Sequence, residues 1–147
     1  DTALVCMVKD ENNRYQIVDV ESFKASWPEA KPRIMAFIRR HDCPAYIEDN
    51  AQMRGLVDDL KREKEMQNCT IHGVTTTKDK ITCASPWISR LENGQLTFLR
   101  APWNKALVNQ CLAFTVEDKG RTDDMIDGVS RCWAAFSAPS LFIGGVG

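Results

Sequence analysis

The chain has 147 residues, 44% of them hydrophobic and 27% charged. That composition fits one ordinary soluble globular domain, and no apolar run approaches the ~18 residues needed to cross a bilayer, so no membrane span is expected. With 19 basic residues against 20 acidic ones the net charge is −1, so any nucleic-acid binding must come from a local basic surface rather than an overall field.

In chain order, Thr2 to Val8 reads as a strand. The turn-like Asp10-Glu11-Asn12-Asn13 then leads into a hairpin partner from Tyr15 to Val20. Trp27-Pro28-Glu29 marks a helix start. Ile34, Phe37 and Ile38 keep the three-to-four spacing of a core-facing stripe, and the helix ends near Arg40-His41. Cys43 to Ile47 is a short apolar run, expected to be a buried strand that delivers Glu48, Asp49 and Asn50 at its carboxyl end. From Ala51, the set Met53, Leu56, Val57 and Leu60 marks a second amphipathic helix, followed by a strand around Thr70 to Thr75. Lys78 to Leu91 reads as a loop and a helix, Gln95 to Leu99 as a short edge strand after Asn93-Gly94, and Trp103 to Val116 as another helix. A last helix opens at Thr122 and carries Ile126, Val129, Trp133 and Phe136 at helical spacing. Residues 1–139 are thus expected to form one domain and 140–147 a flexible tail. The order describes an α/β fold with a mixed sheet and helices on both faces.

The six cysteines (Cys6, Cys43, Cys69, Cys83, Cys111, Cys132) are scattered without a Cys-x-x-Cys pair or a histidine at metal-ligand spacing, and read as reduced thiols. The Asn68-Cys69-Thr70 sequon, with no signal peptide before it, reads as chance, and a cytosolic compartment is expected. The start at Asp1-Thr2-Ala3, without Met, is expected of a piece of a longer polypeptide. No G-x-x-x-x-G-K-[ST] loop occurs, so this stretch carries no ATP-hydrolysing engine of its own. His41 and His72 stand at element edges with no visible acid or nucleophile partner and read as structural.

The acidic residues carry the chemistry. Glu48 sits where binding sites of open α/β sheets gather, although Glu48, Asp49 and Asn50 could equally serve as loop acids or caps for the next helix. Thr122, Asp123 and Asp124 are explained by an N-cap and the helix dipole, but Asp127 is not. Asp124 and Asp127 share one helix face, where like charges are destabilising unless a cation lies near. Hard divalent ions such as Mg²⁺ and Mn²⁺ take carboxylate oxygens, and paired ions of this kind suit phosphodiester hydrolysis.

The segments Asp1-Thr2-Ala3, Ile47-Glu48-Asp49-Asn50, Thr77-Lys78-Asp79-Lys80 and Asp123-Asp124-Met125-Ile126-Asp127, with Leu91-Glu92-Asn93-Gly94 before a strand, stand in an order and spacing that resembles the C-terminal nuclease domain of tailed-phage terminase large subunits. The resemblance covers nearly the whole length. It implies a ribonuclease H-like fold and a metal-dependent endonuclease that cuts concatemeric double-stranded DNA with two Mg²⁺ or Mn²⁺ ions. Under it, Glu48 is the central-strand ligand. Asp124, with Asp127 or Asp123, supplies the last-helix ligands, and Asp1 is a peripheral acid after a strand that bears a further metal-binding aspartate. Lys78 and Lys80 are implied on a loop facing the DNA backbone, with Arg90 or Arg100 as further phosphate contacts. The implied setting is the host cytoplasm, with an ATPase domain in the same polypeptide and with portal and small terminase subunits as partners. Two other readings remain: a junction resolvase of the same fold class, and a catalytically decayed docking module.

Overall fold

The computed structural model describes residues 1–51, 54–114 and 123–137. Gln52 and Met53 of the expected second helix, the expected cap Thr122, the end of the expected Trp103–Val116 helix and the expected tail lie outside the described residues.

Strands β1 (Thr2–Lys9) and β2 (Tyr15–Phe23) form the expected antiparallel hairpin. Asp10 closes the turn, its Oδ1 accepting the Asn12 and Arg14 N–H groups at 2.8 and 2.9 Å, and Asn13 takes the left-handed conformation at φ 60°. Such Asx bonds and tolerance of positive φ are why Asp and Asn populate turns. The register slips between Cys6 and Met7, which pair with Asp19 and Ile17 and leave Val18 as a bulge. Strict alternation along β2 therefore breaks. Ile17 and Val20 both enter the core, while Asp19 and Glu21 face the opposite layer, where α1 (Trp27–His41) sits. Arg40 of α1 bonds Asp19 and Glu21 at 2.7 and 2.9 Å.

Glu29 fixes the start of α1 by accepting the backbone N–H and hydroxyl of Ser26, and Asp42, left-handed at φ 46°, ends it. Strand β3 (Ala45–Glu48) runs parallel to β4 (Ile71–Val74), joined by α2 (Arg54–Arg62) and a 3₁₀ turn at Lys64–Met66. This is the strand-helix-strand unit read from the sequence. It closes over its own core of Ile38, Val57, Leu60, Met66 and Ile71. Next come α3 (Lys80–Glu92), capped by Asp79, and β5 (Leu96–Phe98), parallel to β2. Helices α4 (Asn104–Ala113) and α5 (Asp124–Ser137) complete the described elements. The larger core joins Met7, Ile17 and Val20 to Trp87, Leu96, Leu107, Ile126 and Val129, and within it the Trp87 indole N–H donates to Ser130 Oγ at 2.9 Å.

The fold is a mixed α/β, ribonuclease H-like domain. Its strands nonetheless fall into two ladders among the described residues, β1-β2-β5 and β3-β4. The outer edges of β1 and β3 do not bond each other. Instead they flank a cleft of about 430 Å³, lined by residues 1–6 on one side and 43–48 on the other, with Asn50 and residues of α1, α2 and α5 contributing the remaining walls. Helix α5 seats on β1 through Gly128, where an added Cβ would come within 2.6 Å of Val5 Cγ2. That close approach carries the first turn of α5 to the mouth of the cleft. No helix among the described residues is long and apolar enough to cross a membrane.

Candidate active site

Glu48 is the last residue of β3, so its side chain leaves the strand at the carboxyl end, half exposed. Asp49 continues the ladder through its N–H to the Val74 carbonyl (2.7 Å), and its side chain packs against Gly73 of β4, where an added Cβ would come within 3.0 Å of Asp49 Oδ2. On α5, the first intrahelical bond runs from Asp127 N–H to the Asp123 carbonyl at 3.0 Å, which puts Asp123 at the cap position. The Met125 N–H, another donor of that first turn, is satisfied by Gln110 Oε1 of α4 at 3.1 Å. Asp124 and Asp127 share one face and turn it toward Glu48. Asp1, Glu48, Asp124 and Asp127 line the same cleft, together with Asn50, Gly128 and Arg131. Four of the five sequence-predicted acids thus line one cleft, and Asp123 is not among its lining residues.

Protein cations accompany them. Lys80 opens α3 rather than standing on a loop, and its Nζ lies 2.7 Å from Asp123 Oδ2 and 3.2 Å from Asp127 Oδ2. Arg131, one turn beyond Asp127, places Nη2 3.6 Å from Glu48 Oε1. Lys80 thus places a cation beside Asp127, one member of the Asp124–Asp127 pair. Burial pushes the Asp127 carboxyl above its usual range; the Lys80 ammonium opposes that shift, while the Asp123 and Glu48 charges add to it. For Lys80, burial acts to lower the ammonium pKa, but the bonds to Asp123 and Asp127 outweigh it and raise it. Among the described residues, the buried Asp124 Oδ2 has no hydrogen-bond partner.

The remaining candidates lie apart from this cluster. Lys78 is exposed on the loop before α3, and Arg100 is exposed after β5. Arg90 donates to Gln95 Oε1 at 3.1 Å and lies over the Trp133 ring. None of these three lines the cleft. His41 does have an acid partner: its Nε2 is 2.7 Å from Asp19 Oδ2, a carboxylate held below its usual range because bonds from His41 and Arg40 outweigh its burial. The sequence could not show this, because the partner arrives from another element. His72 stacks on Tyr46 with ring centroids 4.9 Å apart. All six cysteines are free thiols.

A family model described as the terminase RNaseH-like domain matches residues 1–134. The chain belongs to this family. It is a terminase domain of the nuclease type, and the convergence of Glu48 with the acids of α5 falls within the matched region. No curated protein and no solved structure matches the chain.

Among the described residues of this terminase domain, no three Asp, Glu, His or Cys side chains converge closely enough to hold a metal ion. The chemistry of the donors nonetheless fits a hard divalent ion. They are all carboxylates, and one of their oxygens, Asp124 Oδ2, is buried without a partner among the described residues, an arrangement that a cation would relieve. Lys80 and Arg131 stand beside the other carboxylates. Arg131 went unnoticed in the sequence, where Asp127-x-x-x-Arg131 offered only the signal of an ordinary i,i+4 helix pair.

Proposed function

We propose that this terminase domain is a metal-dependent endodeoxyribonuclease that hydrolyses phosphodiester bonds of concatemeric double-stranded DNA. We place it in the host cytoplasm, in one polypeptide with a DNA-translocating ATPase and working with portal and small terminase subunits. The observation that carries the reading is that Asp1, Glu48, Asp124 and Asp127, from the residue before β1, the end of β3 and the first turn of α5, line one cleft in a chain of this family.

Glu48, Asp124 and Asp127, with Asp123 and Asp1 beside them, would hold two Mg²⁺ or Mn²⁺ ions. Such ions supply Lewis-acid stabilisation of the attacking and leaving oxygens of phosphoryl transfer. Glu48 is held at the strand end by β3–β4 pairing and by Arg131, so its carboxylate is oriented before substrate arrives. Asp124 and Asp127 are oriented by the seat of α5 on β1. Lys78 is free to meet the backbone phosphates of either strand regardless of sequence, and Arg90 and Arg100 would extend that contact. The competing reading, a docking module without catalysis, is favoured by one observation: Lys80 and Arg131 already neutralise carboxylates that a nuclease would commit to metal.

Supercoiled plasmid separates the two readings. The domain, or a version extended at its N-terminus, should nick and linearise it in Mn²⁺ or Mg²⁺ but not in chelator, and Glu48→Ala should abolish cutting with the melting transition retained. Undiminished cutting in chelator, or by folded Glu48→Ala, contradicts the proposal. Preferential cutting of four-way junctions over linear duplex would identify a resolvase instead.

A further inference from the structure

We propose that Lys80 is a resident counter-cation of Asp123 and Asp127 in the absence of metal and is displaced when a divalent ion binds, rather than a contact to the DNA backbone. The inference rests on the metal-dependent reading above. Its observations are geometric. Lys80 is the first residue of α3, and Asp79, immediately before it, caps that helix through the Thr82 N–H at 2.8 Å, so the backbone under Lys80 is fixed. From there its ammonium reaches across to α5 and sits between Asp123 and Asp127, at 2.7 and 3.2 Å. Both of its carboxylate partners belong to the set proposed to bind metal. A lysine engaged in this way has its charge committed to two carboxylates of its own chain. By contrast, Lys78 two residues earlier is exposed.

A lysine side chain suits this place for chemical reasons. An ammonium is a compact point charge on a flexible four-carbon stem. It can therefore neutralise two carboxylates without the fixed fork of a guanidinium and can swing out when a stronger cation arrives. Its side chain is 56% exposed, so a path to solvent is open. Like charges on Asp123 and Asp127 would otherwise face each other across the first turn of α5, which is destabilising. A resident cation removes that cost in the apo state. Because it must then leave, it also lowers the apparent affinity for the incoming ion.

The test is Mn²⁺ binding by the purified domain, measured by calorimetry without DNA, for wild type, Lys80→Met, Lys80→Arg and Lys78→Met. Lys80→Met should bind Mn²⁺ more tightly, on the order of tenfold, because a competing charge beside the ligands is gone. Lys78→Met should stay near the wild-type value, and Lys80→Arg, which keeps the competing charge, should show no such gain. The apo form of Lys80→Met should also melt lower and gain more on adding Mn²⁺. Wild-type binding with Lys80→Met unchanged or weaker overturns this inference alone. If neither protein binds Mn²⁺, the metal reading falls and this inference falls with it. Should Lys80→Met fail to fold, ¹⁵N NMR of the wild-type lysine ammonium groups during a Mg²⁺ titration gives the same answer. A Lys80 Nζ signal that moves from its ion-paired position supports displacement, and one that stays fixed at saturation refutes it.

Discussion

Gly128→Ala puts the seat of α5 under direct test, because two effects of known sign oppose each other there. In a helix interior Ala is favoured over Gly by about 1 kcal/mol, so an open site would be stabilised. At Gly128, however, the new Cβ would lie 2.6 Å from Val5 Cγ2, well inside van der Waals contact. Val5 cannot readily give way. Its β-branched side chain is stiff at χ1, and its strand is paired along its length with β2. Overpacking of this kind costs about 1–3 kcal/mol, so the net effect should be a loss of about 1 kcal/mol, or roughly 3 °C in Tm for a domain of this size. Urea unfolding of wild type, Gly128→Ala, Val5→Ala and the double variant measures it. Val5→Ala alone removes apolar contact and destabilises, yet in the Gly128→Ala background it also removes the clash. The two changes should therefore be non-additive by about 1 kcal/mol or more. Additivity to within about 0.5 kcal/mol, or a Gly128→Ala protein more stable than wild type, would refute the close seating of α5 on β1.

Asp127→Asn should raise the apo melting temperature at neutral pH, because burial raises the folded-state pKa of Asp127 and its ionisation opposes folding. The sign follows from linkage. Between the ordinary and the raised value the folded state binds more protons than the unfolded one, so wild-type stability falls as pH rises through that window. The advantage of the variant should accordingly vanish below the ordinary aspartate range, and a pH-independent difference between the two proteins would contradict it. Ser130→Ala leaves the buried Trp87 indole N–H without its 2.9 Å acceptor, which should cost about 1–3 kcal/mol. Trp87→Phe should cost less in that background than in wild type, and equal costs in urea unfolding would argue against the bond.

Local patterns in the sequence reported local structure well. Asp10 to Asn13 announced a hairpin turn because Asp and Asn bond their own backbone, and Ile34, Phe37 and Ile38 announced α1 because only one face of it meets the core. The stripe on α5 was legible at Ile126 and Val129, which are fully buried, but Phe136 at its end is 39% exposed and packs edge-on against Tyr15. The bulge at Val18 was not legible, since a run that alternates over Tyr15 to Val20 gives no sign of which residue the partner strand will skip. Nor was the separation of the sheet into two ladders, because strand pairing is a non-local choice. In the site, carboxylates at a strand end and a helix start could be picked out by position. Their cations could not. Lys80 meets Asp123 across 43 positions of sequence and Arg131 meets Glu48 from another element, so no spacing rule links them. The same holds for Asp19 and His41.

The central claim is that the cleft between β1, β3 and α5 is a divalent-metal site. The most direct measurement is anomalous diffraction from crystals of the domain, or of its N-terminally extended form, soaked in Mn²⁺. An anomalous peak at coordination distance from Asp124 Oδ2 and a Glu48 or Asp127 oxygen, with the Lys80 ammonium displaced, is the expected result. Full Mn²⁺ occupancy elsewhere on the protein, with Lys80 still bridging Asp123 and Asp127 and no peak in the cleft, would contradict the account.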